Sequence, residues 1–209
     1  MSVSGFTFAQ DNEIEELDLT GQIAYVGDDY NIYTVNLSTS ETFKLTEDGR
    51  GSARYEFPTW SPDGQLAYFC CSVRGLTSAR LSIFISPDGK ALGEEFYNQQ
   101  GERHVYAYWS PQTCDTESCV DLAVLVQNFS ERQLAVELFN SQNVSDGQRN
   151  LGQGSPFYYS WSPTGESLLL HRNNATLQYY SVASSDVDSA FEGDLGSFLS
   201  PGWSPVDDR

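Results

Sequence analysis

The stretch Pro58–Phe69, PTWSPDGQLAYF, decides the reading of the whole chain. A Trp-Ser-Pro-Asp-Gly run leads directly into a short apolar run, the pattern of a tight turn feeding a strand. Pro62 presets φ for the second turn position, Asp63 tolerates the third, and Gly64 supplies the left-handed geometry that follows. The motif recurs. Trp60, Trp109, Trp161 and Trp203 are the four tryptophans of the chain, and each opens a Trp-Ser-Pro triplet. The motif residues are Trp60, Ser61, Pro62, Asp63 and Gly64, then Trp109, Ser110 and Pro111, then Trp161, Ser162, Pro163 and Gly165, and last Trp203, Ser204 and Pro205.

The tryptophans lie 49, 52 and 42 residues apart. That period is long for a helical-hairpin repeat and suits a four-stranded propeller blade. Each of the first three motifs precedes two β-type runs. They are 65–73 and 81–86, then 120–129 and 132–140, then 166–172 and 175–182, with Gly, Asp, Asn and Ser between them. The run Leu122–Val126, LAVLV, is apolar at odd and even positions alike. A sheet with one wet face alternates, whereas a blade held between two neighbours is buried on both sides. Trp60 is then expected to fill the gap between adjacent blades, where a large rigid ring buries much area. No segment carries a sustained helical period.

These features predict an all-β chain, a β-propeller of four-stranded antiparallel blades with about four blades present. Residues 1–19 read as an N-terminal extension. Blades are expected at 20–57, 58–103, 104–155 and 156–199, with a partial one at 200–209. The first lacks the Trp motif and resembles the outer three strands of a blade; the last, SPGWSPVDDR, resembles an innermost strand alone. An open segment of a larger propeller is expected in preference to a four-bladed ring closed by pairing those two ends.

The balance of 29 acidic against 11 basic residues gives a net charge of −18. Such a chain repels phosphate backbones and anionic lipid, so neither nucleic acid nor a membrane surface is an expected partner. No apolar run approaches the length that a bilayer crossing needs, and the first residues, MSVSGFTFAQ, have no basic or apolar region of a signal peptide. Cys70 and Cys71 fall in an apolar run and read as small core hydrophobes. Cys114 and Cys119 bracket a polar loop at the point where the tight turn is replaced by SPQTCDTESC. They are a possible local disulfide, which would stiffen that loop, or two free thiols. With no nearby His they fall short of a zinc set.

Catalytic patterns are sparse. The histidines are His104 and His171, and neither has a nucleophile near it in sequence. GQGSPF around Ser155 lacks the spacing of a nucleophile elbow, and no phosphate loop or His-Glu-x-x-His occurs. The innermost runs 52–60, 104–109 and 155–161 are aromatic and offer Glu56 and His104 as the most an acid–base site could use. Asp28-Asp29, Asp186-Val187-Asp188 and Asp207-Asp208 read as turn caps without calcium-loop spacing. Sequons at Asn36, Asn128, Asn143 and Asn174 matter only in a glycosylating host.

PTWSPDGQLAYF, NIYTVNL at 31–37 and FKLT at 43–46 resemble the WD40-like repeats of the TolB family, the PD40 type, and the resemblance covers about residues 20–205. The second motif departs by lacking Asp-Gly, the third has Thr-Gly, and the fourth is cut short. The resemblance implies a non-catalytic scaffold that binds a protein or peptide partner through its loop surface. It also implies an extracytoplasmic, periplasmic or cell-surface, location. No cofactor and no metal are expected, and the protein is expected to be a monomer unless open propeller edges associate. Residues 112–119 are the most distinctive loop. The alternative it implies is the substrate-gating propeller of a larger prolyl-oligopeptidase-like or tricorn-like serine peptidase, with the catalytic domain outside this chain.

Overall fold

The computed structural model describes residues 19–71, 79–112, 121–141, 148–196 and 201–204. The regular elements among them are all strands, arranged as four antiparallel sheets that follow one another along the chain. The first holds β1 (Gln22–Val26), β2 (Ile32–Asn36) and β3 (Thr42–Lys44). The second holds β4 (Tyr55–Trp60), β5 (Leu66–Cys70), β6 (Arg80–Ser86) and β7 (Glu94–Gln100). The third holds β8 (Glu102–Trp109), β9 (Asp121–Asn128), β10 (Gln133–Asn140) and β11 (Arg149–Gly154). The fourth holds β12 (Phe157–Trp161), β13 (Ser167–Arg172), β14 (Thr176–Ser181) and β15 (Val187–Glu192). Within each sheet the spatial order is the sequence order, so every sheet is a meander.

The two-faced apolar runs become the middle strands. All five residues of β5 and the first six of β9 are buried. Odd and even positions serve different junctions. Ala67 and Phe69 of β5 face the third sheet with Ala107, Trp109, Leu122 and Val124. Leu66, Tyr68 and Cys70 face the first sheet with Ile32 and Leu45. Ala123 and Leu125 pack with Phe157, Tyr159, Leu168 and Leu170 of the fourth. The three apolar clusters are thus the three blade-to-blade junctions. Each is a slab of side chains with no wet face, which is why strict alternation is absent from the sequence.

The Ser-Pro turns close as their chemistry requires. Gly64 has φ 90° and Gly165 has φ 73°. The amide of Gly64 donates to the Ser61 carbonyl at 3.1 Å, and that of Gly165 to the Ser162 carbonyl at 3.0 Å. The enlarged hairpin keeps the same closing position, with the Ser110 amide donating to Asp121 O at 2.7 Å. Pro58 lies inside β4, where it is tolerated because β4 is an edge strand and its register shifts between Glu56 and Thr59.

Cys70 and Cys71 require a correction. They are joined to each other as a disulfide, and Cys71 takes φ 108° at the end of β5. Cys70 is buried at the first junction as expected, but the pair is not two independent core thiols. Cys114 and Cys119 lie outside the described residues.

Candidate functional site

The tryptophans form a ladder from blade to blade. Trp109 Nε1 donates to Thr59 O at 3.0 Å, Trp161 Nε1 to Tyr108 O at 2.9 Å, and Trp203 Nε1 to Ser160 O at 3.0 Å. Each acceptor is the residue just before the preceding tryptophan. The rung is therefore a repeat of structure as well as of sequence. Trp60 stands at the bottom of the ladder. Its indole packs over Gly89 at the first junction, and its Nε1 is buried with no hydrogen-bond partner.

The upper rungs open onto an aromatic groove of about 600 Å³. Tyr108, Trp109, Trp161 and Trp203 supply its rings, and Pro111 and Pro163 its rim. Its lining residues carry no formal charge. Tyr108 is fixed through its backbone, whose N–H donates to Tyr159 Oη at 3.1 Å, while its ring stays more than half exposed. Tyr159 is held in turn, its hydroxyl donating to Ala123 O and its amide to Tyr106 Oη at 3.0 Å. Full burial pushes the Tyr159 phenol well above its usual range, so it stays a neutral donor.

A second, polar depression of about 500 Å³ lies beside the β8–β9 connection and is lined by Gln112, Asp121, Glu166 and Tyr179 among others. Asp121 is buried, and desolvation raises its carboxyl pKa even though Arg149 Nη2 lies 3.6 Å away and pulls it down. Residues 113–119 of the loop singled out in the sequence lie outside the described residues.

The motif residues are distributed as follows. Trp60, Trp109 and Trp161 sit at the first, second and third junctions. Ser61–Gly64 and Ser162–Gly165 form the turns after β4 and β12, and Ser61 Oγ donates to Asp63 within its turn. Ser110 and Pro111 begin the β8–β9 connection. Trp203 and Ser204 lie in the described segment 201–204, and Pro205 lies outside it.

Glu56 and His104 are brought together, with His104 Nε2 3.8 Å from Glu56 Oε2. His104 is nevertheless buried, stacked on Phe69 at 4.6 Å between ring centroids. Desolvation, with help from Arg103, lowers its pKa to about 4, so it is neutral at pH 7 and the contact is not an ion pair. Among the described residues no group of three or more His, Cys, Asp or Glu side chains could hold a metal. No described helix is long and apolar enough to cross a membrane.

Two features were missed in the sequence. The run Ser86-Pro87-Asp88-Gly89 repeats the turn chemistry without a tryptophan and closes β6–β7, with Ser86 Oγ accepting from the Gly89 amide at 3.0 Å. Its identity to Ser61–Gly64 was the available signal. The carboxyls of half-buried Glu102 and buried Glu137 had none, because nothing local marks them as inward facing. Both are raised by burial; Tyr97 donates to Glu102 Oε2 at 3.1 Å and Gln148 Nε2 to Glu137 Oε2 at 3.3 Å.

No family model matches this sequence, and no curated protein matches it. Solved structures do. TolB from Acinetobacter baumannii superposes with a TM-score of 0.54 at 14% identity, over 85% of this chain and 43% of that one. An oligogalacturonate lyase from Vibrio parahaemolyticus gives 0.50 at 10% identity, over 78% of this chain and 42% of that one. The chain therefore spans less than half the length of these structural neighbours. At such identities the likeness speaks for the fold alone, and the fold is that of a β-propeller: all-β, built of successive antiparallel meanders packed face to face.

Proposed function

We propose that this propeller is a non-catalytic scaffold that holds a protein or peptide partner on its aromatic groove, outside the cytoplasm. The carrying observation is the groove itself. Its Trp161 and Trp203 rings are fixed by the indole ladder, and the backbone that carries the exposed Tyr108 ring is held by Tyr159, so much of the ordering entropy is met by folding and not by binding. Rigid aromatic surface is what extended, proline-bearing segments dock on, and the surrounding chain at −18 favours a partner with basic flanks. The Cys70–Cys71 disulfide supports an oxidising compartment. The acid–base candidates support no catalytic role, since His104 is buried and neutral.

The test is a peptide array of proline- and aromatic-bearing sequences with Lys/Arg flanks, set against the same sequences with Asp/Glu flanks. Hits are titrated by tryptophan fluorescence with the 209-residue chain and with Tyr108→Ala. Binding of basic-flanked peptides that weakens at least tenfold in Tyr108→Ala is expected. No binding, or binding indifferent to Tyr108, overturns the proposal.

A further inference from the structure

The polar depression of about 500 Å³ lies at an internal junction, between the third and fourth sheets, and it adjoins the aromatic groove. The same two Ser-Pro segments wall both. Pro111 and Pro163 rim the groove, while the residues that follow them, Gln112 and Thr164, line the depression. Ser110 Oγ donates to Gly165 O at 3.4 Å and ties the two segments together. A bound chain that leaves the groove over this ridge enters the depression.

The two cavities differ in charge. The groove lining is neutral, whereas Asp121 and Glu166 line the depression and none of its lining residues is basic. The turn itself does not ask for the Asp121 carboxylate. Gln65, Asp121 and Ser167 hold the same place in three successive blades. Each carbonyl closes its turn by accepting from the serine amide after the tryptophan, at 2.8, 2.7 and 2.9 Å. Only main-chain atoms are used there, and neutral side chains serve in two of the three blades.

Asp121 is 5% exposed, and its two oxygens are unequally served. Oδ1 accepts from Asn140 Nδ2 at 3.2 Å. Oδ2 has Arg149 Nη2 at 3.6 Å, beyond hydrogen-bond reach. Arg149 is held elsewhere, its Nη1 donating to Val182 O at 3.0 Å and to Ser185 Oγ at 3.1 Å. Asp121 Oδ2 therefore keeps acceptor capacity where desolvation works against its charge. Glu166 is exposed and makes no ion pair among the described residues.

We infer that the depression is a pocket for the guanidinium or ammonium group of a basic side chain, with Asp121 Oδ2 and the Glu166 carboxylate as its acceptors. The inference rests on the groove reading above and gives the basic flank of that partner one defined place. Val182 and Ala183 offer apolar surface to the stem of such a side chain, and the carboxylates take its head. A cation there also completes the shell of a buried carboxylate that folding leaves short of a donor.

The first probe is N-acetyl-arginine amide, compared with its neutral isostere N-acetyl-citrulline amide, titrated into the 209-residue chain at pH 7 and followed by amide NMR. The arginine compound is expected to move the amides of Asp121 and of residues 164–167, and the citrulline compound to leave them in place. Binding is expected to weaken about tenfold in Asp121→Asn, the size of a hydrogen bond to a buried charge, and about threefold in Glu166→Gln, at an exposed one. Glu94→Gln removes an exposed carboxylate on β7 and is expected to change nothing. The second probe is a Pro-Pro-Tyr-Pro peptide carrying arginine or citrulline, next to the core or spaced from it by glycines, titrated by tryptophan fluorescence. The best arginine form is expected to bind about tenfold tighter than its citrulline form in the parent, and equally in Asp121→Asn. An arginine compound that leaves those amides unmoved, or binds both variants as it binds the parent, overturns the inference. Peptides that need Tyr108 but bind alike with arginine and citrulline overturn it too, and leave the groove reading standing. Binding of the arginine compound in the depression with no peptide on the groove keeps the cation pocket and removes the groove reading. Glu166→Gln alters an exposed side chain, so it remains decisive if Asp121→Asn does not fold.

Discussion

Trp161 Nε1 donates to the carbonyl oxygen of Tyr108 at 2.9 Å, and Tyr108 is the residue before Trp109. The rung uses a main-chain atom as its acceptor. That explains why Thr59, Tyr108 and Ser160 fill the acceptor position with three unrelated side chains. The tryptophan is the part that must stay. Trp161→Phe, which keeps an aromatic ring but loses the N–H, is expected to cost about 1 kcal/mol. Trp161→Ala is expected to cost about 3 kcal/mol, the low end for a large aromatic because the ring is partly exposed. Urea unfolding of both variants checks the pair of values.

Gly89 is the contact point of the first rung. A Cβ there would meet the Trp60 ring, the residue has φ 67°, and its carbonyl accepts from Thr34 Oγ1 at 2.6 Å. Gly89→Ala therefore meets a steric and a backbone penalty together, about 2–4 kcal/mol in sum. Gly51, with open space around its Cβ position and no positive φ, is the control, and Gly51→Ala is expected to lie within about 0.5 kcal/mol of the parent. Thermal denaturation of the two variants makes the comparison.

His104 gives the fold an acid limit. Its ordinary value is 6.5 and burial lowers it to about 4. The unfolded chain takes up the proton first as pH falls, so the stability His104 contributes is complete above pH 6.5 and is lost progressively down to about pH 4. The loss amounts to about 3 kcal/mol across that window. His104→Phe is expected to flatten the fall, measured by urea midpoints at pH 7 and pH 4.5.

Glu137 works in the opposite sense. Its folded pKa is raised, so its contribution is present below the usual carboxylate range and is lost as pH rises through the folded value. Glu137→Gln is expected to remove that slope and leave the His104 slope intact. The readout is the pH dependence of stability and not its absolute size, because Gln replaces one of the two acceptor oxygens that Asn150 and Gln148 use.

Cys70 and Cys71 are expected to resist alkylation in the unfolded, unreduced protein, and the peptide that holds both should be lighter by two hydrogens than after reduction. Non-reducing peptide mapping with mass spectrometry reads this directly.

The middle strands were legible because their burial on both faces is written in every residue, as in Leu122–Val126, and the turns because Pro62 and Gly64 have few other uses. The fourth strands were not. β7 reads EEFYNQQ and β11 reads RNLGQG, polar runs with a few inward side chains, since an outermost strand needs little apolar surface. The Cys70–Cys71 bond was illegible because adjacent cysteines in an apolar run look the same joined or free. The groove was half legible. Its tryptophans were found as repeat markers, but that Tyr108 would stay exposed beside them depends on which way β8 turns its side chains at the mouth, and a bulge between His104 and Tyr106 decides that.

The junctions are unequal in strength along their length, and this bears on how the molecule would yield to force. Between the third and fourth sheets, Tyr106, Tyr108, Tyr159, Trp161 and Arg149 all hydrogen-bond across the seam to main-chain or phenol atoms. Between the first and second sheets, the indole rung is missing, and Thr34 to Gly89 and Tyr55 to Asp48 and Tyr30 hold in its place. In a linear array, stability is a sum over neighbours, so a chain drawn from both ends parts at its weakest seam. Under tension the three strands from Gln22 to Lys44 should peel away first, and the Tyr159 seam should hold the last two sheets together as a single unit.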